Sequence, residues 1–437
     1  MPTTPPGSTP EAIAVCMGGV DERSPDGSRL SSRETSMINA VFLGLAIFAA
    51  VYWLVAFASV VLSRCPRPST PEIAPPVTIL KPLRGNDGQL YQNLRSFCIQ
   101  DYRCFEIVFG VRHLHDPAVA VVERLRREFP GLELKLVADS RTIGTNLKVS
   151  NLANLVRHAK HDTLIVADSD MRVGPGYVRA VTWPLEDRRV GLVTCLYRGV
   201  PTSGLASQLG AMFINEWFLP AALIGTHLER LRHAFGATIA FRRDTLGSIG
   251  GFEAIADQLA DDYMLGWLVS GRGLRVVLVP YVVENVVTER NLRTLFLHEL
   301  RWARTFRTLR PLAYFCSLLT YGIPLSVLWL AASKGSGPAC IALALHTALR
   351  AIGRLVLYRS LGQPLPWSAT WLVPVRDVGS FLVGVLSFLG RTVRWNDEAF
   401  RVHRGGRLER LVETGNQRRH ARSTETPPAA SRWEESA

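Results

Sequence analysis

Apolar residues recur along this 437-residue chain in three rhythms. Residues 37 to 63 run without a charge, longer than the roughly 20 apolar residues that cross a bilayer, and predict a membrane helix. The run starts too far from Met1 and is too long for the roughly 7 to 15-residue core of a cleaved signal peptide. After a Pro-rich linker at 65 to 76 the rhythm changes. "VTILKPL", "FEIVFGV", "LELKLVA" and "TLIVADSD" read as strands, and "LYQNLRSFCIQ", "PAVAVVERLRREF" and "NLKVSNLANLVRHA" between them read as helices. Such alternation predicts parallel pairing through right-handed crossovers. "VGLVTCL", a turn at "GSIGGF", a helix in "DQLADDYMLGWLVSGRG" and a strand "LRVVLVP" follow. "GSIGGF" lacks the strand before it and the helix spacing of a dinucleotide fingerprint.

The third rhythm comes near the C-terminus, with apolar runs at about 312 to 332, 338 to 358 and 370 to 390. The last two contain Arg350, Arg354, Arg376 and Asp377, charges that must pair inside a bundle or line a wet groove. The predicted organisation is a disordered tail over 1–36, a membrane helix over 37–63, and an α/β unit over 64–310 ending in an interfacial amphipathic helix. Membrane segments over 311–390 and a basic, largely disordered tail over 391–437 complete it. Another long apolar stretch, 204 to 228, is interrupted by Glu216 and Pro220; it reads as a membrane-edge helix beside a lipid entrance or as a buried core helix.

Charge changes this picture in one respect. The net charge of +13 is uneven, with nine Arg against four Asp or Glu over 391 to 422. Basic clusters beside membrane spans favour the cytosolic side and anionic headgroups. No nucleic-acid module is present and the charge lies at the membrane ends, so nucleic acid is not an expected partner. The seven cysteines form no C-x-x-C pair, which points to reduced thiols.

Candidate chemistry sits at three places. Asp168 and Asp170 follow an apolar strand, where ligands of α/β sheets bind, and carboxylates two residues apart off a strand end can share a hard cation with a diphosphate. A solvated acidic turn is the plain alternative. Asp261 and Asp262 lie in a helical pattern; adjacent carboxylates repel, so one of them can hold its proton near neutrality and serve as a general base, or both can simply form the acidic first turn of the helix. The segment 291 to 310 has the profile of an interfacial helix, yet Arg301 and Trp302 on it could instead face the site, the guanidinium on phosphate and the indole under a sugar or lipid head.

"ILKPLRGND", "VRHLHDPA", "NLKVSNL", "ADSDMRV", "ADDYM" and "HELRW" occur in the order and at the spacing of the ceramide glucosyltransferase family, and the chain resembles that family over roughly residues 38 to 390. The resemblance implies a GT-A nucleotide-diphospho-sugar transferase domain, an α/β unit with a Rossmann-like mixed sheet, flanked by transmembrane helices. It further implies a membrane-bound inverting enzyme with a UDP-sugar donor, a membrane lipid acceptor and a divalent metal, Mg2+ or Mn2+. On the matching positions Asp116 helps hold the uridine nucleotide with Lys148, Asp168 with Asp170 holds metal and diphosphate, Asp262 meets the attacking hydroxyl, and Arg301 and Trp302 form the last motif. The chain departs from the family at His298, where Gln or Arg is usual, which leaves an acceptor contact of His298 and Trp302 as the expectation there. Asp170 stands where animal members often have Gly, and "CLYRG" and "LRWART" resemble a bacterial branch associated with hopanoid biosynthesis. That likeness implies N-acetylglucosamine or glucose as the sugar and a hopanoid or a ceramide as acceptor.

The expected protein is thus a transferase in the bacterial inner membrane with a cytosolic catalytic domain. Two rivals are a processive polysaccharide synthase, which needs a longer channel than about four spans provide, and a catalytically inactive membrane scaffold, which has no use for Asp168 and Asp262 together. For the topology, one of the last two apolar stretches is expected to be re-entrant or interfacial, leaving the tail cytosolic.

Overall fold

The computed structural model describes residues 26–63, 75–395 and 398–411. The linker and most of both predicted tails lie outside these residues. Helix α1 (Asp26–Leu62) starts earlier than the predicted membrane helix, so the expected tail over 1–36 is helical from residue 26.

The α/β unit is built as the alternation predicts. Strands β1 (Val77–Pro82), β2 (Phe105–Val111), β3 (Glu133–Ala138) and β4 (Thr163–Val166) pair in parallel, in the order β3-β2-β1-β4. Helices α2 (Leu90–Cys98), α3 (Ala118–Glu128) and α4 (Leu147–Val156) cross between them. Successive strand residues point to opposite faces, so the sheet has two cores. Ile79, Ile107, Phe109 and Ile165 pack with Leu94, Phe97 and Val122, whereas Leu80, Val108, Leu164 and Val166 pack with Val149 and Leu152.

Beyond β4 come β5 (Met171–Arg172), α5 (Tyr177–Thr182), β6 (Val190–Pro201), α6 (Gly204–Phe213), α7 (Leu219–Leu228), β7 (Ile239–Arg242), α8 (Arg243–Ser248), α9 (Asp261–Gly271) and β8 (Arg275–Val287). The eight strands form one mixed sheet, continued as β4-β7-β6-β8-β5, with β7 antiparallel to both β4 and β6. Strand β7 is four residues long and carries too little periodicity to be legible in sequence. Gly250 and Gly251, both at positive φ, make the turn expected at "GSIGGF".

Helix α10 (Leu292–Leu309), capped by Asn291, leads to α11 (Pro311–Leu318), α12 (Gly322–Ala332), α13 (Gly337–Ser360) and α14 (Val373–Leu386). Among the described residues, four helices are long and apolar enough to cross a membrane: Glu34–Leu62, Gly204–Leu228, Gly337–Ser360 and Trp367–Leu386. The α11–α12 pair, bent by 59°, adds a broken span or re-entrant loop. Outward-facing Ile47, Phe48, Val51, Leu54, Ile341, Leu345 and Ile352 give α1 and α13 an apolar outer surface. Of the two readings of 204–228, the buried one fits better: α6 packs on β6, a π-helical turn spans Ile214–Phe218, and α7 packs on α1. The helix joins the α/β unit to the bundle.

One expectation is corrected. Residues 391–395 and 398–411, read as part of a basic, largely disordered tail, hold an antiparallel sheet of β9 (Thr392–Trp395), β10 (Glu398–Val402) and β11 (Leu408–Arg410). Val393, Phe400, Val402 and Leu408 bury one face against Leu259, while the intervening Arg394 and Arg401 stay exposed. Arg394, Arg401 and Arg410, three of the arginines that suggested a solvated tail, lie on these strands with their side chains exposed. Residues 412–437 lie outside the described residues.

Candidate active site

The acidic residues gather at the carboxyl end of β4. Asp168 is held from beneath by Lys81, whose Nζ donates to the Asp168 carbonyl at 2.6 Å and lies 3.7 Å from the Phe97 ring centroid. Lys81 is fully buried, and burial pushes its ammonium down to about 7 although Asp168 and Asp170 act against the shift. The Asp168 side chain faces α4: Lys148 Nζ lies 2.7 Å from Asp168 Oδ1 and 3.1 Å from Asp261 Oδ2. Burial opposes the Lys148 charge, but Asp168 and Asp261 outweigh it and hold the proton above its ordinary range. Lys148 can sit here because Asn146 caps α4, accepting from the amides of Lys148 and Val149.

Asp170 is fixed from the far strand. Asn285 Nδ2 on β8 donates to Asp170 Oδ2 at 2.9 Å, and the Val286 amide donates to the Asp170 carbonyl at 2.9 Å. Asp170 Oδ1 is buried with no hydrogen-bond partner. Burial, and then the charge of Asp168, raise the Asp170 carboxyl.

Asp262 comes from the first turn of α9, where its Oδ1 accepts from the Tyr263 amide at 2.8 Å. Burial first, then the neighbouring Asp261, pushes its carboxyl up to about 7. The adjacent acids therefore divide: Asp261 is the buried partner of Lys148, and Asp262 is the one poised to exchange a proton. Gly236 lies between two of the acids. A Cβ there would stand 3.1 Å from Asp262 Oδ2 and 3.5 Å from Asp168 Oδ2, so glycine keeps that gap open.

Helix α10 closes the site. Burial draws the Arg301 guanidinium down, and the charges of Asp168, Asp261, Asp170 and Asp262 all act against that shift. Trp302, about 100° further round the helix, turns elsewhere: its ring centroid lies 4.3 Å from His298 and 6.2 Å from Phe213, and it packs beside Ala211, Ile214 and Val287. His298 pairs with Glu289 at 2.6 Å. Although burial opposes it, that bond holds the Glu289 carboxyl below its ordinary value. Trp302 and His298 thus form an aromatic wall on the side of α6. Asp116 stands two strands away from Asp168, its Oδ1 accepting from the amides of Gly85 and Ala118 at 2.9 Å each, which ties the β1–α2 turn to the start of α3.

The structure brings Lys148, Asp168, Asp170, Asp262 and Arg301 together, with Asp116 at one edge and His298 and Trp302 at another. Lys81, Asn285, Asp261 and Gly236 complete it. Of these, Asp261 was already a candidate beside Asp262, and a lysine inside the apolar run "VTILKPL" was a further signal open to sequence reasoning. Among the described residues, no three His, Cys, Asp or Glu side chains gather as a metal cage. Cations of the Mg2+ type usually take one or two carboxylates and complete their shell with phosphate and water, and the unpaired Asp170 Oδ1 beside Asp168 fits such a site.

The sequence profile of glycosyl transferase family 21 matches residues 41–408. Ceramide glucosyltransferase 3 of Caenorhabditis elegans is 23% identical over 343 residues, covering 76% of this chain and 74% of that protein. Ceramide glucosyltransferase 1 of the same organism is 27% identical over 205 residues, and the match spans 44% of its length. A mannosyltransferase from Pyrobaculum calidifontis in complex with GDP-Man and Mn2+ superimposes with a TM-score of 0.56 at 19% identity, covering 80% of this chain and 99% of that one. At that identity the likeness concerns the fold, which is the GT-A arrangement that the sequence motifs imply.

Proposed function

The chain belongs to glycosyl transferase family 21, and from that premise we propose that it moves a sugar, glucose or N-acetylglucosamine, from a UDP-sugar to a hydroxyl of a membrane lipid with inversion at the sugar carbon. The observation that carries this reading is the convergence of Asp168, Asp170, Asp262, Lys148 and Arg301 at one strand end, beside helices with apolar outer faces. A polyol headgroup of a hopanoid or the hydroxyl of a ceramide would enter along the aromatic wall of Trp302, His298 and Phe213.

Asp168 and Asp170 are the residues that would hold Mg2+ or Mn2+, and the cation would supply positive charge against the diphosphate. Lys148 releases Asp168 and Asp261 to meet the phosphates, and Arg301 offsets the charge that grows on the leaving UDP. Asp262 accepts the proton of the attacking hydroxyl; a carboxylate whose proton affinity is raised toward neutrality is better matched to that task than an exposed one. Asp116 fixes the β1–α2 turn on which a uridine would rest. A single displacement by the lipid oxygen, with Asp262 taking its proton, gives inversion.

The catalytic domain would face the cytosol of a bacterial inner membrane, where UDP-sugars are made. Strands β9–β11 pack against α10 and the loop before α9, which supports placing the chain on both sides of 311–390 on one face of the bilayer, with an even number of crossings in between. The bent α11–α12 pair, in the first of the three apolar stretches and not in one of the last two as expected from the sequence, is the best candidate for the stretch that turns back, because each of the last two holds one helix long enough to span. An even number of crossings still supports a cytosolic tail. A cysteine at Ser423 in a Cys-depleted variant should then resist an impermeant thiol reagent in intact cells.

The deciding test is transfer by the purified chain in vesicles holding hopanoid polyol or ceramide, supplied with UDP-glucose or UDP-N-acetylglucosamine, with products read by mass spectrometry and anomeric NMR. One sugar added per lipid with inverted configuration is expected. A long water-soluble polymer, retained configuration, or no UDP release with any lipid extract would reject the reading.

A further inference from the structure

The sheet β9–β11 enters the proposed function only through topology, yet it touches the candidate site from two sides. On one side, β9 places Trp395 against α10, with the Arg301 guanidinium carbon 5.7 Å from the indole centroid. On the other, the Leu408 amide donates to the Asp257 carbonyl at 2.7 Å, the Leu259 amide donates to the Gly406 carbonyl at 2.9 Å, and Gln258 bridges to Arg407. Residues 257–259 lead directly into Asp261 and Asp262. The same segment is tied to the start of α4: the Thr145 amide and hydroxyl both donate to Asp257 Oδ1 at 2.9 Å, and Asn146 Nδ2 donates to the Gln258 carbonyl at 2.7 Å. Lys148, Asp261, Asp262 and Arg301 therefore come from three elements that share this sheet as a direct or next neighbour. The sheet is anchored by the buried Val393, Phe400, Val402 and Leu408 packing on Leu259, and by Arg304 and Arg307 of α10 donating to the carbonyls of Leu389, Thr392 and Gly390.

We propose that Trp395 is a positioning residue of the donor site, and that the C-terminal sheet is the strap that sets Arg301 at a fixed distance from Asp261 and Asp262. The inference rests on the reading of Arg301 as the group that meets the diphosphate. In the field of four carboxylates, an unrestrained guanidinium would collapse onto one of them as a bidentate pair, since that geometry satisfies two N–H groups at once. The face of the indole offers a competing attraction for the cation that costs Arg301 none of its N–H donors. Held there, the guanidinium keeps its hydrogen bonds for the incoming phosphates. The indole also packs on Leu259 and its neighbours, so its position is fixed by the core of the strap rather than by Arg301 itself.

Trp395→Leu keeps apolar packing on Leu259 and removes the ring face, whereas Trp395→Phe keeps a ring. With the full-length chain in vesicles, Trp395→Leu is expected to raise the KM for UDP-sugar by about tenfold and to leave the KM for lipid acceptor unchanged. Trp395→Phe should recover most of that loss, and both variants should match the wild type in thermal unfolding. In an Arg301→Ala background, Trp395→Leu should cost nothing further, because the group it positions is gone. Equal losses of Trp395→Leu in both backgrounds, or equal effects on the two KM values, would overturn the positioning role and leave the function standing. An unchanged UDP-sugar KM in Arg301→Ala itself would overturn both the positioning role and the donor assignment of Arg301.

Discussion

Buried charge is handled in opposite ways in the two halves of this molecule. In the helical bundle it is matched one to one: Arg350 pairs with Asp377 at 2.9 Å, Arg354 with Glu216 at 2.8 Å, and Arg376 with Glu299 at 2.8 Å. Arg350 also lies 3.9 Å from the Trp53 ring, and Trp217 Nε1 donates to Asp377, so the pair is enclosed by aromatic rings. In the cleft, Asp168, Asp170, Asp261 and Asp262 outnumber Lys81, Lys148 and Arg301. An unmatched charge in a low-dielectric setting costs several kcal/mol, so the bundle balances its own. The excess of negative charge in the cleft is tolerable because part of it reaches solvent, and it creates demand for a cation. Paired charge here marks architecture, and unpaired charge marks chemistry.

Substitutions in the two regions should therefore fail differently. The largest effect is expected for Asp168→Ala, which should abolish turnover while the protein remains folded and membrane-inserted; chelation by EDTA should do the same to the wild type, and transfer that persists in EDTA would remove the metal from the scheme. Asp262→Asn should lower kcat by about 10² to 10⁴ with UDP-sugar binding intact. Loss of nucleotide binding in that variant would move Asp262 to the donor side. In the bundle, Asp377→Leu should lose about 3–5 kcal/mol by stranding Arg350, whereas Arg350→Leu with Asp377→Leu should recover most of the loss. Thermal unfolding in detergent measures both, and a double variant as unstable as the single would mean that the pair does more than balance charge.

Two smaller effects sharpen the contrast. Gly236→Ala narrows the gap between Asp168 and Asp262 and should lower kcat/KM several-fold without a change in Tm. The raised Asp262 carboxyl gives the last. In cation-free buffer the folded state binds this proton more tightly than the unfolded chain does, so its contribution to stability is full below the ordinary Asp range and is lost as pH rises toward about 7. Asp262→Asn should flatten that part of the Tm-against-pH curve, and an unchanged slope would show that another group carries it.

Much of this was legible before any coordinates. The four parallel strands, their helices, the acids after "TLIVA" and the apolar helix at the N-terminus follow from periodicity and run length. Burial of one strand face and one helix stripe is a local property that each segment displays by itself. The need of Arg350, Arg354, Arg376 and Asp377 for partners was equally visible, since a charge in an apolar run has to be paired. Their identities were not: Glu216 meets Arg354 across 138 positions, and Glu299 meets Arg376 across 77.

The folding of 391–411 was hidden by its own arginines. Net charge suggested a solvated tail, whereas the alternation of Val393, Phe400, Val402 and Leu408 with charged neighbours only becomes a strand signal once Leu259 offers a surface to bury it. The sequence by itself determined which residues are acidic, which runs are apolar and in what order they come, because those are properties of single segments. Tertiary structure alone decided that Lys148 neutralises Asp168 and Asp261, that Asp262 is left holding the raised proton affinity, that Arg301 lies within the field of the acids while Trp302 turns to α6, and that Trp395 reaches Arg301. Each depends on burial or on a distance between segments far apart in the chain, and neither is a property of a single segment.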